Sequence, residues 1–366
     1  MTARPALVTG GAGFIGCNLA DRLARDGHDV IVYDALARPG VERNLAWLER
    51  RHPDRVTGIV ADIRDEAALA DAVARAGVVF HLASQVAVTT SLLRPLEDFD
   101  VNARATLGLL EMLRRKRDRT PLIFASTNKV YGDLADLALE RVDDAWRPVD
   151  PAIREAGIDE RRPLDFHTPY GCSKGAADQY VLDYARSFGI PTCVLRMSCV
   201  YGPHQMGTED QGWVAHFLLR AAGGEPISIY GDGCQVRDVL EVSDAVQAYI
   251  AAWRRIKAVA GRAFNLGGGP RNAISLRRLI GHIGTLTGAP VATSYGDWRA
   301  GDQRYFVADA RAARAALGLA EPRDWREGVA DLARWLDGER QTARTTVART
   351  TAARTTATRA TTDALQ

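Results

Sequence analysis

The stretch that most constrains this chain is a short apolar run broken by glycine, Ala6-Leu7-Val8-Thr9-Gly10-Gly11-Ala12-Gly13-Phe14-Ile15-Gly16. The apolar residues suit a buried strand, and an amphipathic stretch starts directly after the glycines. This order predicts a strand, a tight turn and a helix N-terminus. Glycine carries no Cβ and tolerates positive φ, so the turn can be sharp and a ligand can approach the backbone. The first N–H groups of the helix lack intrahelical partners and lie at the positive end of its dipole, where they attract phosphate. The spacing Gly11-x-Gly13-x-x-Gly16, overlapped by Gly10-x-x-Gly13-x-x-Gly16, matches a dinucleotide-binding fingerprint. A second apolar run, Val30-Ile31-Val32-Tyr33, ends in Asp34, the distance at which an acid meets an adenosine ribose. Gly10, Gly13, Phe14, Ile15, Gly16 and Asp34 are the first candidate cofactor contacts. The charge of Asp34 would repel a 2′-phosphate, which favours NAD over NADP.

The chain continues in the same rhythm. A helix at Gly13–Arg25 leads to a strand at His28–Tyr33, and a strand at Val56–Ala61 ends in Asp62-Ile63. Asp62 meets an adenine amino group or caps the next helix. A helix at Glu66–Ala76 and a strand at Val78–Leu82 follow, with Leu82-Ala83 running over the carboxyl edge of the sheet, where open α/β folds bind ligands. A long helix at Pro95–Arg117 precedes a strand at Leu122–Ala125, which opens into Ser126-Thr127. Strands alternating with helices predict a doubly wound parallel sheet, a Rossmann domain over residues 1–197. Residues 133–166 break the pattern, with Pro148, Pro151 and Pro163, and read as an insertion near the site mouth, a candidate lid. Residues 198–340 read as a smaller substrate-binding domain interleaved with the last strands.

Composition narrows the partners. The net charge is +2, but residues 341–366 alone hold four arginines and one aspartate, so the rest of the chain is close to neutral. That is not a nucleic-acid-binding composition. The tail repeats Arg-Thr-Thr at Arg344, Arg349 and Arg354 with almost no large apolar residue, and it is expected to be disordered. No apolar run is long enough to span a membrane, and the first strand starts too early to leave room for a signal peptide. Five cysteines without paired spacing suit a reducing, cytoplasmic setting. The seven histidines are scattered, so no metal site is expected.

The chemistry is carried by Tyr170-Gly171-Cys172-Ser173-Lys174, on a helix expected at Pro169–Phe188. The i, i+4 spacing puts Tyr170 and Lys174 on one face. A free tyrosine, with a pKa near ~10, is a poor base at neutral pH. A neighbouring ammonium and a positive nicotinamide ring favour its phenolate, which can then take a proton from a sugar hydroxyl. Thr127, or Ser126, at the adjoining strand end can hydrogen-bond the same oxygen, and Lys174 can also hold the nicotinamide ribose. Thr127, Tyr170 and Lys174 are the candidate catalytic set; Ser126, Tyr170 and Lys174 also count as cofactor contacts.

The Gly10–Gly16 loop, Ser126-Thr127 and Tyr170-x-x-x-Lys174 together resemble the extended short-chain dehydrogenase/reductase superfamily, which includes the NAD-dependent sugar epimerases and dehydratases. The resemblance covers about residues 5–337. Longer strings, Ser126–Asp133, Leu164–Tyr180, Asp210–Val214 and Asp302-Gln303-Arg304, resemble the members that invert C2 of a CDP-linked sugar of the paratose–tyvelose type. The resemblance implies tightly held NAD, oxidation of the sugar to a 2-keto intermediate and return of the hydride to its other face. It implies a homo-oligomer, a dimer or tetramer, for which helices Pro95–Arg117 and Pro169–Phe188 could make a helix-bundle interface. Arg237 and Arg299 are expected on the nucleotide diphosphate, where guanidinium forks match phosphate oxygens, and Gln205 on the substrate. The superfamily's 4,6-dehydratases carry Asp-Glu after Ser-Thr; here Asn128 and Lys129 stand there, and an amide and an ammonium cannot supply that acid/base pair. Cys199 stands where many members place an asparagine near the diphosphate. Two other readings stay open: a UDP-sugar 4-epimerase with the same Tyr, Lys and Thr, and a non-enzymatic NAD-binding sensor.

Overall fold

The computed structural model describes residues 4–116, 118–299 and 301–341. The arginine-rich tail beyond residue 341 lies outside them. Seven strands form one parallel sheet: β1 Ala6–Thr9, β2 Val30–Asp34, β3 Val56–Val60, β4 Val78–His81, β5 Leu122–Thr127, β6 Thr192–Met197 and β7 Arg262–Leu266. Their spatial order is β7-β6-β5-β4-β1-β2-β3. The strands are added outward from β1 in one direction to β3 and then in the other from β4, so β1 lies between β2 and β4, with Thr9 opposite both Tyr33 and His81. Such a switch point opens a crevice at the carboxyl ends of the strands.

Both faces of the sheet are covered, which explains why its strands read as unbroken apolar runs. Successive side chains alternate between two cores. Val8, Phe80 and Ile123 join helices α1 (Phe14–Arg25) and α2 (Val41–Arg51) and the helix Val242–Arg254 on one face. Leu7, Val79 and Phe124 join α3 (Glu66–Arg75), α4 (Ala105–Lys116) and α5 (Thr168–Phe188) on the other. The long helix expected from Pro95 is present as Pro95–Phe99, a π-helical turn at Asp100–Arg104, and α4.

The later residues build a second core. Strand Val236–Glu241 pairs antiparallel with Ala273–Ser275 and parallel with Tyr305–Phe306 and Cys199–Tyr201. Helices Trp213–Ala222 and Leu276–Thr287, with helical residues 325–341, pack there around Phe217, Leu218, Ile283, Trp325 and Leu332. The chain then has interleaved parts, because β7 returns to the first sheet after this strand has formed.

Residues 133–166 hold a hairpin, Leu139–Val142 with Ala145–Pro148, and a short helix, Pro151–Ala156. They pack on the carboxyl-terminal strands: Ala145 touches the core of Val236, Tyr305 and Val307, and Trp146 Nε1 donates to Asp232 at 2.9 Å. Among the described residues that line the cleft below, none comes from this segment.

Candidate active site

A cleft of about 950 Å³ runs across the carboxyl edge of the parallel sheet and up to the second core. Every candidate site residue lies on its wall. The glycine loop, Asp34, Asp62-Ile63, Leu82-Ala83, Ser126-Thr127, Tyr170 and Lys174 line one end, and Gln205, Arg237 and Arg299 the other.

At the first end the glycine loop is held by backbone contacts. Gly10 has φ +68°, and a Cβ there would come within 2.7 Å of Ala83 N. A Cβ on Gly16 would come within 2.2 Å of Gly10 O. Helix α1 has no side-chain cap and no acid in its first turn, so its leading N–H groups are left for an anion. The Asp34 carboxylate accepts from Ala12 N at 3.0 Å and Leu36 N at 2.8 Å, and burial raises its pKa. These donors and this acid fit a dinucleotide: the uncapped turn suits pyrophosphate, and Asp34 suits ribose hydroxyls. Asp62 lines the cleft but does not cap the next helix. Asp65 caps α3 through Ala68 N, while Asp62 is paired with Arg64 by two hydrogen bonds of 2.8 and 2.7 Å that lower its pKa.

The catalytic candidates meet in the middle. Thr127 ends β5, and Tyr170 and Lys174 come from the first turns of α5, both buried. Burial pushes the Tyr170 phenol up to about 12; a hydrogen bond from Thr127 pulls it down and the charge of Asp98 pushes it up. Lys174 Nζ donates to Ala125 O at 2.7 Å, and burial lowers it to about 7 against the pull of Asp178 and Asp98. Asp98 accepts from Ser173, which also accepts from Asn102 at 3.1 Å; Asn102 in turn receives Ser84 Oγ at 2.7 Å. This buried chain fixes α5 against the cleft wall. Thr168, two residues before Tyr170, has φ +63°, a costly backbone state for a β-branched residue.

Ser126 and Thr127 part company. They are neighbours on a strand and face opposite ways. Ser126 Oγ donates at 2.7 Å to Asp178, which takes two 2.9 Å bonds from Arg196 and lies fully buried. The Ser126 hydroxyl thus serves the buried ion pair, and Thr127 alone presents a hydroxyl toward Tyr170.

At the far end Arg237 is buried and bonded to Asp302 at 2.6 Å, and Arg299 lies 3.9 Å over the Tyr230 ring with Asp210 at 3.4 Å. Gln205 and Gln235 each donate their amide nitrogen to a carbonyl, Val200 O at 3.2 Å and Tyr230 O at 2.7 Å. That fixes each amide's orientation and leaves Oε1 buried without a partner. A buried acceptor without a donor is costly, and both residues line the cleft. Gln235 was missed by sequence reasoning. Its signal was position: two residues before Arg237 on an extended segment, it shares that residue's face. Among the described residues, Asp133, Asp165 and His167 bring ligand-type atoms within 4.8 Å of one another, half-buried to exposed and outside the cleft lining.

A Rossmann crevice with an uncapped phosphate site, an acid at the ribose position and a buried Tyr/Lys/Thr group defines an NAD-dependent enzyme. Residues 6–267 match the model of the NAD dependent epimerase/dehydratase family, and the chain belongs to that family. Within it the chain is an NAD-dependent epimerase. It is 40% identical over 345 residues to the CDP-paratose 2-epimerase of Salmonella typhi, covering 90% of this chain and 98% of that protein. It is 33% identical to the UDP-glucose 4-epimerase of Mycolicibacterium smegmatis, over 92% of this chain and 99% of the other. The crystal structure of the Thermotoga maritima UDP-glucose 4-epimerase with UDP-glucose superposes with a TM-score of 0.77 at 31% identity, covering 92% of this chain and 99% of that one. The Thermus thermophilus UDP-glucose 4-epimerase complexed with NAD superposes with the same TM-score at 29% identity, covering 91% of this chain and 99% of that one.

Proposed function

We propose that this enzyme inverts C2 of a CDP-linked sugar, of the CDP-paratose to CDP-tyvelose type. The observation that carries the reading is the pair Asn128-Lys129 directly after Thr127. It removes the carboxylates a dehydration needs while leaving Thr127, Tyr170 and Lys174 grouped in the cleft. The 40% identity to a CDP-paratose 2-epimerase, against 30–33% for the UDP-glucose 4-epimerases, supports C2 and CDP.

NAD held at the glycine loop, Asp34 and Lys174 would supply the hydride acceptor and donor for that carbon. Tyr170, as phenolate, takes the proton from the sugar hydroxyl on that carbon and gives it back after the sugar turns over. Its pKa must fall from about 12 for this. A protonated Lys174 lowers it, and Thr127 donates a hydrogen bond to the phenolate oxygen. Arg237 and Arg299 hold the diphosphate, and Gln205 accepts from a substrate donor at its bare Oε1. Holding the nucleotide while the sugar rotates is what an epimerase needs, because both faces of one carbon must meet one hydride position.

We place the enzyme in the cytoplasm, where its five free cysteines stay reduced; no helix among the described residues is long and apolar enough to cross a membrane. Exposed Leu96, Phe99 and Tyr180 on the two helices expected at an interface support a homo-oligomer, to be read by analytical ultracentrifugation. The reading is tested by incubating the purified enzyme with CDP-, UDP-, GDP- and dTDP-sugars in D₂O, without added cofactor, and following the sugar by proton NMR. Inversion at C2 of a CDP-sugar with little deuterium at that carbon is expected. Inversion at C4 of a UDP-sugar would replace the substrate assignment. Heavy deuterium at the inverted carbon would replace hydride transfer with proton abstraction, and no reaction with any sugar would favour the sensor.

A further inference from the structure

Lys129 sits in the turn Asn128–Tyr131 that follows β5, and it lines the cleft between Thr127 and the arginine end. Its ammonium has three donors. One is used, on Gly301 O at 3.0 Å. No carboxylate of the described residues lies within ion-pair distance of it. The charged and titratable groups facing it come from four places. Arg237 projects from strand Val236–Glu241, Asp302 from the loop after Arg299, Cys199 from strand Cys199–Tyr201, and Asp133 from the turn beyond Tyr131. Asp302 is already committed to Arg237 at 2.6 Å. Asp133 lies beyond ion-pair distance and faces His167, so Lys129 has no carboxylate of its own in the cleft, and its uncompensated charge is costly until an anion arrives. A neutral sugar hydroxyl would fill a donor without cancelling that charge. The Cys199 thiol that faces this pocket is a weak donor and contributes little to holding an anion.

We propose that Lys129 is a third cationic ligand of the substrate's diphosphate, beside Arg237 and Arg299. The proposal rests on the nucleotide-sugar reading above but not on the choice of base or of carbon. Lys129 closes the subsite from the catalytic side, on the phosphate next to the sugar, and anchors that phosphate while the sugar turns.

The test uses the full chain with its cofactor bound and measures affinity by calorimetry for CDP, UDP and their monophosphates. Lys129→Met is expected to weaken CDP on the order of 10- to 100-fold, the weight of a charge-assisted contact, while CMP changes by less than about threefold. Lys129→Arg keeps the CDP affinity within about fivefold. Wild-type affinity supplies a readout that needs no variant. Burial and Arg237 lower free Lys129 to about 8. Binding requires the protonated ammonium, so CDP affinity is full below that pH and lost above it, by about 90-fold between pH 7 and 10 if the bound lysine stays protonated. Lys129→Arg abolishes this alkaline loss while Cys199 and Tyr170 remain, which separates Lys129 from those groups. Unchanged CDP affinity in Lys129→Met overturns the proposal. So does equal loss for CDP and CMP, or a loss confined to the CDP-sugar, which would make Lys129 a sugar contact. If the wild type prefers UDP to CDP, the base assignment above fails, and the same comparison of UDP with UMP still decides on Lys129.

Discussion

Gly16→Ala gives a direct test of how the cofactor end is built. The added Cβ would sit 2.2 Å from Gly10 O and 2.7 Å from the Gly11 Cα, both backbone atoms that no rotamer change can move. Reaching an ordinary contact near 3.4 Å requires the helix start and the loop to separate by about 1.2 Å. That displacement breaks the Gly13 N to Gly10 O bond of 3.1 Å and strains Cys17 N to Gly13 O at 2.8 Å. Overpacking costs about 1–3 kcal/mol and the lost bond about 1 kcal/mol, for a sum of roughly 2–4 kcal/mol. Against a typical stability of about 5–15 kcal/mol, the variant folds but melts roughly 3–5 °C lower. It also loses copurifying NAD, since the α1 N–H groups no longer face the pyrophosphate position. Gly108→Ala is the control: nothing lies within 4 Å of its would-be Cβ, and it sits inside α4. That change should stabilise by about 0.5–1 kcal/mol without touching cofactor content. Differential scanning calorimetry and the cofactor absorbance of the purified variants give both readouts. Gly16→Ala with wild-type melting and full NAD would refute the packing argument.

Tyr170→Phe should lower kcat by about 10²–10⁴ in the NMR assay while the NAD content stays unchanged; full activity would remove Tyr170 as the base. Asp178→Ala strips the partner from buried Arg196 and the acceptor from Ser126, so urea unfolding should show a loss of about 3–5 kcal/mol. Asp238 is raised by burial from 3.8 to about 6 although Ser198 and Gly269 N donate to it. Its folded form holds the proton more tightly than its unfolded form, so its contribution to stability is present below pH 4 and lost as pH rises to 6, by up to about 3 kcal/mol. Asp238→Asn should remove that falling component, and urea titrations at several pH values in that window would expose an unchanged slope.

Much of the fold was legible because its signals are local. Glycine spacing, apolar strand runs and the Tyr170/Lys174 helix face each span a few residues, and they placed every strand of the sheet up to β5 within a residue or two. Ser126 against Thr127 could have been resolved as well, since neighbours on a strand face opposite ways. The two-acid string Asp62-Ile63-Arg64-Asp65 was ambiguous because either carboxylate can start a helix; the backbone N–H of Ala68 settles on Asp65. The hairpin in 133–166 turns through Asp143 at φ +52° instead of through a glycine, so it lacks the usual turn signal. Least legible were pairings across long separations. Gln303, fully buried, donates to Gly132 O at 2.6 Å and accepts from Asn128 Nδ2 at 3.2 Å, 175 residues away. No periodicity reports a contact of that kind, nor the placing of half-buried Lys129 on the cleft wall.

The return of β7 to the sheet has a consequence for how the protein is made. Strand β6 ends at Met197 and its outer neighbour at Leu266. The 69 residues between them include Arg237 and part of the second core. At a synthesis rate of about 5–20 residues per second, the emerging chain spends about 3–14 s with the edge of β6 bare. A bare edge is a template for pairing with any extended segment nearby. The nascent chain is therefore most exposed to mispairing in that interval, and a ribosome stalled between residues 197 and 262 would carry a sheet whose edge has no strand to close it.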